Sequence, residues 1–127
     1  MVKCGVGYKI APEWREQDWI VEKALAALKA PVLHITDVRS SRSAGGIHDY
    51  YSNGDYWWPN PDTPDGLPYI QRDGETNPEN FNGHRIILRQ MRTNVVFLSS
   101  AYVLTKEECY AERAIQHLKE FFLDEKT

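Results

Sequence analysis

Residues 44–77 read AGGIHDYYSNGDYWWPNPDTPDGLPYIQRDGETN, a polar, turn-rich stretch that carries four Tyr and two adjacent Trp. Loops without regular structure that exceed about 12–15 residues are as a rule functional or disordered, and this aromatic content argues against disorder. Tyr50, Tyr51, Tyr56, Trp57, Trp58 and Tyr69, set among Gly, Pro, Asn and Asp, therefore mark a folded loop with a task beyond connection. Both flanks are helical in pattern, so the fold is decided by how helices frame this loop.

Upstream, the spacing predicts a helix over 12–29, with Pro12 at the first helical position and Glu13 suited to the N-terminal dipole. Ile20, Val21, Ala24, Leu25 and Leu28 form its apolar stripe. Ala30-Pro31 ends it, because the residue before proline is pushed out of the α region, and 32–35 reads as a short extended piece. Downstream, Asn77 as N-cap, Pro78 and Glu79 open a second helix. Phe81, His84, Leu88, Met91, Val95, Leu98 and Tyr102 recur at three and four along one face, with Arg85, Arg89 and Arg92 on another. That helix is expected to reach Leu104. Thr105-Lys106-Glu107-Glu108 then reads as a capping box before a third helix over 106–123, whose Ala111, Ala114, Leu118 and Phe121 face the second. The expected fold is all-α: three helices, the last two an αα-hairpin over 78–123, and a cleft or lid loop over 36–77 between the first and second.

A chain of 127 residues, 42% apolar and 26% charged, fits one small soluble domain. About a third of it is the loop, so the helices have little to pack against. Helical hairpins that cannot bury both faces usually belong to arrays, so an incomplete domain is expected, with self-association through exposed helical faces as a consequence. The net charge of −3 provides no basic face for nucleic acid or an anionic membrane. No apolar run approaches the roughly 18 residues of a membrane span, and the opening MVKCGVGYKIAPEW shows no signal-peptide pattern. Cys4 and Cys109 lie far apart without metal spacing and read as a terminal thiol and a helical packing thiol. Asp55, Asp62, Asp65, Asp73 and Glu75 do not match a calcium loop. Asp62, Asp65 and Gly66 are better explained as turn residues around Pro61 and Pro64. Neither a dinucleotide fingerprint nor a phosphate-binding loop is present, so no metal and no cofactor are expected.

The loop's chemistry suits a sugar, because flat rings stack on pyranose faces while Asp, Asn and Arg bond hydroxyls. Trp57 and Trp58 serve such stacking, or plug the loop onto the helices. Tyr51 and Tyr56 are proton donors or packed rings with wet hydroxyls. Arg72 clamps a substrate carboxylate, or pairs with Asp73 or Glu75. His48, beside Asp49, is a base oriented by a carboxylate, or a hydrogen-bonded bystander. His84, on the apolar seam, points into a cleft or is a core histidine.

The run Ser43-Ala44-Gly45-Gly46, then HDYYSNGDYWWPNPDTPDG (48–66), YIQRDGETNPENF (69–81) and the following helix resemble the N-terminal part of the alginate lyase domain family. Ala-Leu-Lys-Ala-Pro (27–31) is similar to the end of that family's first helix, and 98–123 to its next hairpin. The resemblance covers nearly everything from Trp19 onward. It implies an α/α toroid, helical hairpins around a central cleft, acting on an acidic polysaccharide such as alginate by β-elimination without a metal. It also implies a bacterial protein exported to the periplasm or secreted. The family's catalytic Asn-His pair and Tyr lie in later helices, and this sequence has no Asn-His dipeptide, so no catalytic residue is carried over. The resemblance leaves His48, Tyr51, Tyr56, Trp57, Trp58, Arg72, Asn77 and His84 as the expected substrate-contacting set, in a chain expected to be inactive alone. The alternative is a non-catalytic helical module that binds a glycan or a protein.

Overall fold

The computed structural model describes residues 17–127. Positions 12–16 of the expected first helix, and Cys4, lie outside them. Helix α1 (Asp18–Lys29) places Asp18 in its first turn and Lys29 in its last, both favourable to the helix dipole. Ala30 is extended, as the following proline requires. The 32–35 piece leads into a single 3-10 turn, Ile35–Asp37, where the Asp37 carboxylate accepts the His34 N–H at 2.8 Å.

Helix α2 (Gly83–Thr105) runs 23 residues and α3 (Glu108–Phe122) 15. α2 is the central element, packed against both α1 and α3. Its start differs from expectation. Asn77 does not cap it; the Asn77 side chain instead accepts the Glu79 N–H at 3.0 Å in an Asx turn, and the helix begins six residues later. The turn between α2 and α3 also differs. Lys106 takes the left-handed conformation (φ 59°) that reverses the chain, and Thr105 Oγ1 donates to Ala101 O at 2.8 Å while accepting the Glu107 N–H. Glu108 does not reach back; its carboxylate meets the Tyr102 hydroxyl at 3.4 Å. The capping box is thus replaced by a left-handed reversal.

The buried faces are rotated from the sequence stripes. α2 buries His84, Ile87, Met91, Asn94, Leu98 and Ala101; α3 buries Cys109, Tyr110, Ala114, His117 and Phe121. Leu118, expected inside, is exposed. One apolar cluster joins Val21, Ala24 and Ala27 of α1 to Leu98, Ala101, Tyr110 and Ala114. A second joins Ile35, Ile87, Met91 and Phe121. Between them along α2 and α3 lie Asn94 and His117, whose Nδ2 and two ring nitrogens have no hydrogen-bond partner among the described residues. Burial, then the nearby Arg113 charge, lowers the His117 pKa, with Glu120 opposing. Arg113 also donates to Ala30 O at 2.6 Å, tying α3 to the end of α1. Cys109 is disulfide-bonded, which corrects the expectation of a packing thiol; the spacing of distant cysteines does not disclose pairing.

The loop between α1 and α2 is folded rather than irregular throughout. It contains a two-residue antiparallel pair, β1 (Trp57–Trp58) and β2 (Ile70–Gln71), with Trp57 opposite Gln71 and Trp58 opposite Ile70. This small sheet departs from an all-α expectation, although the chain remains mostly helical.

Candidate functional site

Three anchors fix the aromatic loop. Asn77, 5% exposed, donates from Nδ2 to Trp57 O at 3.2 Å, and its own N–H goes to Asp55 O at 2.8 Å. Asn80 Nδ2 reinforces this with bonds to Gly54 O and Trp57 O. Arg85 of α2 donates from Nη1 to both Asp55 carboxylate oxygens at 2.7 and 2.9 Å, joining loop to helix. The third anchor is His84. Its Nδ1 accepts the Tyr51 N–H at 2.9 Å and its Nε2 lies 2.8 Å from Val38 O. A backbone N–H on Nδ1 and a carbonyl on Nε2 require the neutral tautomer protonated at Nε2.

Of the eight expected contact residues, two are engaged in these bonds. His84, 2% exposed with both nitrogens used, and Asn77, 5% exposed, hold the loop by hydrogen bonds within the protein. For His84 the burial matches the core-histidine alternative, while the backbone groups it meets were not legible, because a polar residue on an apolar seam carries no sign of them.

The hairpin they hold carries four of the others. Tyr56 is 40% exposed and Trp57 42%. Trp58 is half-buried, its Nε1–H bonded to Glu75 O at 2.9 Å. Arg72 lies over the Trp58 ring, 4.9 Å from its centroid, and 3.7 Å from the Glu75 carboxylate. Of the two expectations for Arg72, the pairing with Glu75 is seen, and the side chain stays partly exposed. The Arg72 N–H also donates to Tyr56 O at 2.8 Å, which locks the arginine to the aromatic strip.

His48 and Tyr51 lie elsewhere. The Asp49 carboxylate accepts the Gly46 N–H at 2.6 Å and forms no bond to His48, so the expected oriented base is absent. His48 instead borders a hollow of about 500 Å³ with Tyr50, Leu88, Phe121 and Phe122. Tyr51 is half-buried against Phe81, its hydroxyl accepting Asn53 Nδ2 at 3.4 Å. Asp55–Arg85 was not foreseen as a pair; only the shared proximity of an acid in the loop and a cation in the first turn of α2 hints at it. Among the described residues, no group of three or more His, Cys, Asp or Glu is placed to hold a metal ion, and no helix is long and apolar enough to cross a membrane.

The site's surroundings have relatives. The model of the alginate lyase family matches residues 34–127, which takes in the loop, α2 and α3. An alginate lyase from Bacteroides ovatus of known crystal structure is 40% identical, with a TM-score of 0.71. The match covers 87% of this chain and 29% of that one, so the chain spans less than a third of the relative's length. A comparison with curated proteins gives no match. By sequence over most of its length and by structure, the chain belongs to the alginate lyase family.

Proposed function

We propose that the chain is part of a polysaccharide lyase of α/α toroid architecture, in which the aromatic loop lines or lids the cleft for an acidic polysaccharide such as alginate. The observation that carries this reading is the pair of exposed rings Tyr56 and Trp57 beside half-buried Trp58, on which Arg72 stacks. Aromatic faces take the C–H side of a uronate ring, and a guanidinium takes its carboxylate. A loop held by Asn77, His84 and Asp55–Arg85 spends little entropy in ordering on binding.

In β-elimination the C5 proton leaves to a base, a C4–C5 double bond forms, and the C4–O bond breaks as an acid protonates the leaving oxygen. A third group stabilises charge on the carboxylate. The loop residues suit binding and carboxylate contact. None has the aligned base and acid of the other two roles, since His48 stands unoriented. Catalysis is accordingly assigned to parts of the toroid other than these residues. An exported setting is supported by the disulfide at Cys109, a bond that persists in oxidising compartments.

Mixing the purified chain with polymannuronate and following the ultraviolet absorbance of unsaturated uronate tests the assignment. Binding without any rise in absorbance is expected. A sustained rise abolished by His48→Ala would place catalysis within the chain and overturn it.

A further inference from the structure

Every lysine of the chain lies outside residues 30–105, and the six cations inside that segment are all arginine: Arg39, Arg42, Arg72, Arg85, Arg89 and Arg92. Arginine is the residue for planar, two-pronged contact with carboxylates, which lysine cannot make. Three of the four that belong to the loop or its anchors are committed. Arg85 holds Asp55, Arg72 pairs with Glu75, and Arg39 donates to Gly45 O at 3.1 Å. Arg42 differs: among the described residues its guanidinium has no carboxylate and no hydrogen-bond acceptor.

It is nevertheless held in place. The Arg42 N–H donates to Ser40 Oγ at 3.2 Å, Ser40 itself being buried. The guanidinium lies over the Tyr69 ring, 5.2 Å from its centroid, a stacking that fixes the plane of the fork and leaves its edge for an anion. That edge borders a hollow of about 400 Å³ lined by Arg42, Tyr51, Asp65, Leu67 and Tyr69. The volume lies within the range of about 300–1,000 Å³ usual for small-ligand sites. A second, more polar hollow of about 290 Å³ meets it at Arg42 and adds Asn53 and Glu79. Asp65 does not quench the arginine; its Oδ1 accepts the Leu67 N–H at 3.0 Å.

We infer that the hollow at Arg42 is a uronate-binding subsite separate from the Trp57–Trp58–Arg72 strip, in which the Arg42 fork takes the sugar carboxylate. Leu67, 54% exposed, offers the apolar contact for the ring. Tyr51 and Asp65 supply hydroxyl-directed groups. The inference rests on the polysaccharide reading above and deepens it, because two separate arginine sites for carboxylates suit a polymer with a charge on more than one unit.

Titration calorimetry of the full chain with a mannuronate tetrasaccharide, and with the same oligosaccharide reduced at its carboxyls, tests this on Arg42→Ala, Arg42→Lys and Trp57→Ala. Arg42→Ala should weaken the acidic ligand about tenfold to a hundredfold, the worth of a charge-assisted contact, and cut the preference for acidic over neutral ligand by the same factor. Arg42→Lys should fall between, keeping charge but losing the fork. Unchanged affinity in Arg42→Ala while Trp57→Ala still weakens binding overturns the subsite and leaves the polysaccharide reading standing. Equal loss for acidic and neutral ligands also overturns it, since a packing role would act on both. A folded wild-type chain that binds neither ligand overturns the reading and the subsite together.

Discussion

His84 shows how a single side chain can serve the site without touching a ligand. It is buried between a loop N–H and a loop carbonyl that lie 13 residues apart, at Tyr51 and Val38, and Phe81 stands edge-on at 5.1 Å. Removing the ring leaves two backbone groups without partners, each worth about 1–3 kcal/mol when buried. His84→Ala is therefore expected to destabilise the chain by roughly 2–4 kcal/mol, read as a lowered urea midpoint, and to loosen the loop before the helices. An unchanged midpoint would mean that the clip is dispensable. Gly54 is constrained from the opposite direction: a Cβ there would overlap the Trp57 ring, so the strip is shaped by the absence of a side chain as well as by the presence of indoles. The residues most visible in the sequence, Trp57 and Trp58, are those the structure exposes or half-exposes. Asn77 and His84 were legible as important, but their role was not, because backbone partners 20 and 46 positions away leave no periodic trace.

At the scale of elements, the helices follow from spacing and their phases do not. α2 packs on α1 and on α3, so its buried face is broader than one stripe. A single stripe of large apolar residues then selected Leu88, Val95 and Tyr102, which the fold leaves half-buried, over polar Asn94 and small Ala101, which it buries. The same bias passed over His117 in α3. The two-residue strands were illegible because a period cannot be read from two positions, and only cross-strand pairing defines them. The Asn94–His117 layer has a measurable consequence. Since burial depresses the His117 pKa below its unfolded value near 6.5, the folded state binds fewer protons than the unfolded one. This contribution to stability is full above that pH and is lost as pH falls toward the folded-state pKa. Glu120, also lowered, by hydrogen bonds from Gln116 and His34, adds a loss of the same sign at lower pH, near and below the carboxylate range. Denaturant melts at stepped pH should show stability falling below about pH 6.5, and His117→Leu, which fills the layer with an apolar group, should remove the first part of that fall. A flat profile in the wild type would contradict the account of this layer.

Across the whole molecule, six of the eight arginines lie in the loop and α2, and exposed apolar side chains lie along both helices of the hairpin. Ile86, Val96, Val103, Ile115, Leu118 and Phe122 are exposed along α2 and α3, beside a hollow of about 590 Å³ that Arg85, Arg89 and Arg92 share with Leu88, Met91 and Val95. Family membership was legible from the loop and the helix after it, the part that the family model matches. What composition and periodicity left open is which loop residues face outward, and that is settled only once Asn77, His84 and Asp55–Arg85 have fixed the loop. The loop so fixed, with Tyr56 and Trp57 exposed, is proposed to bind a glycan. The most direct test of this is calorimetric titration of a mannuronate oligosaccharide into the wild-type chain and into Trp57→Ala, with thermal melts alongside. Because Trp57 is 42% exposed, its loss should leave the melting temperature nearly unchanged while weakening binding about tenfold or more. Equal affinity in the two proteins, or no binding by the folded wild type, would contradict the account.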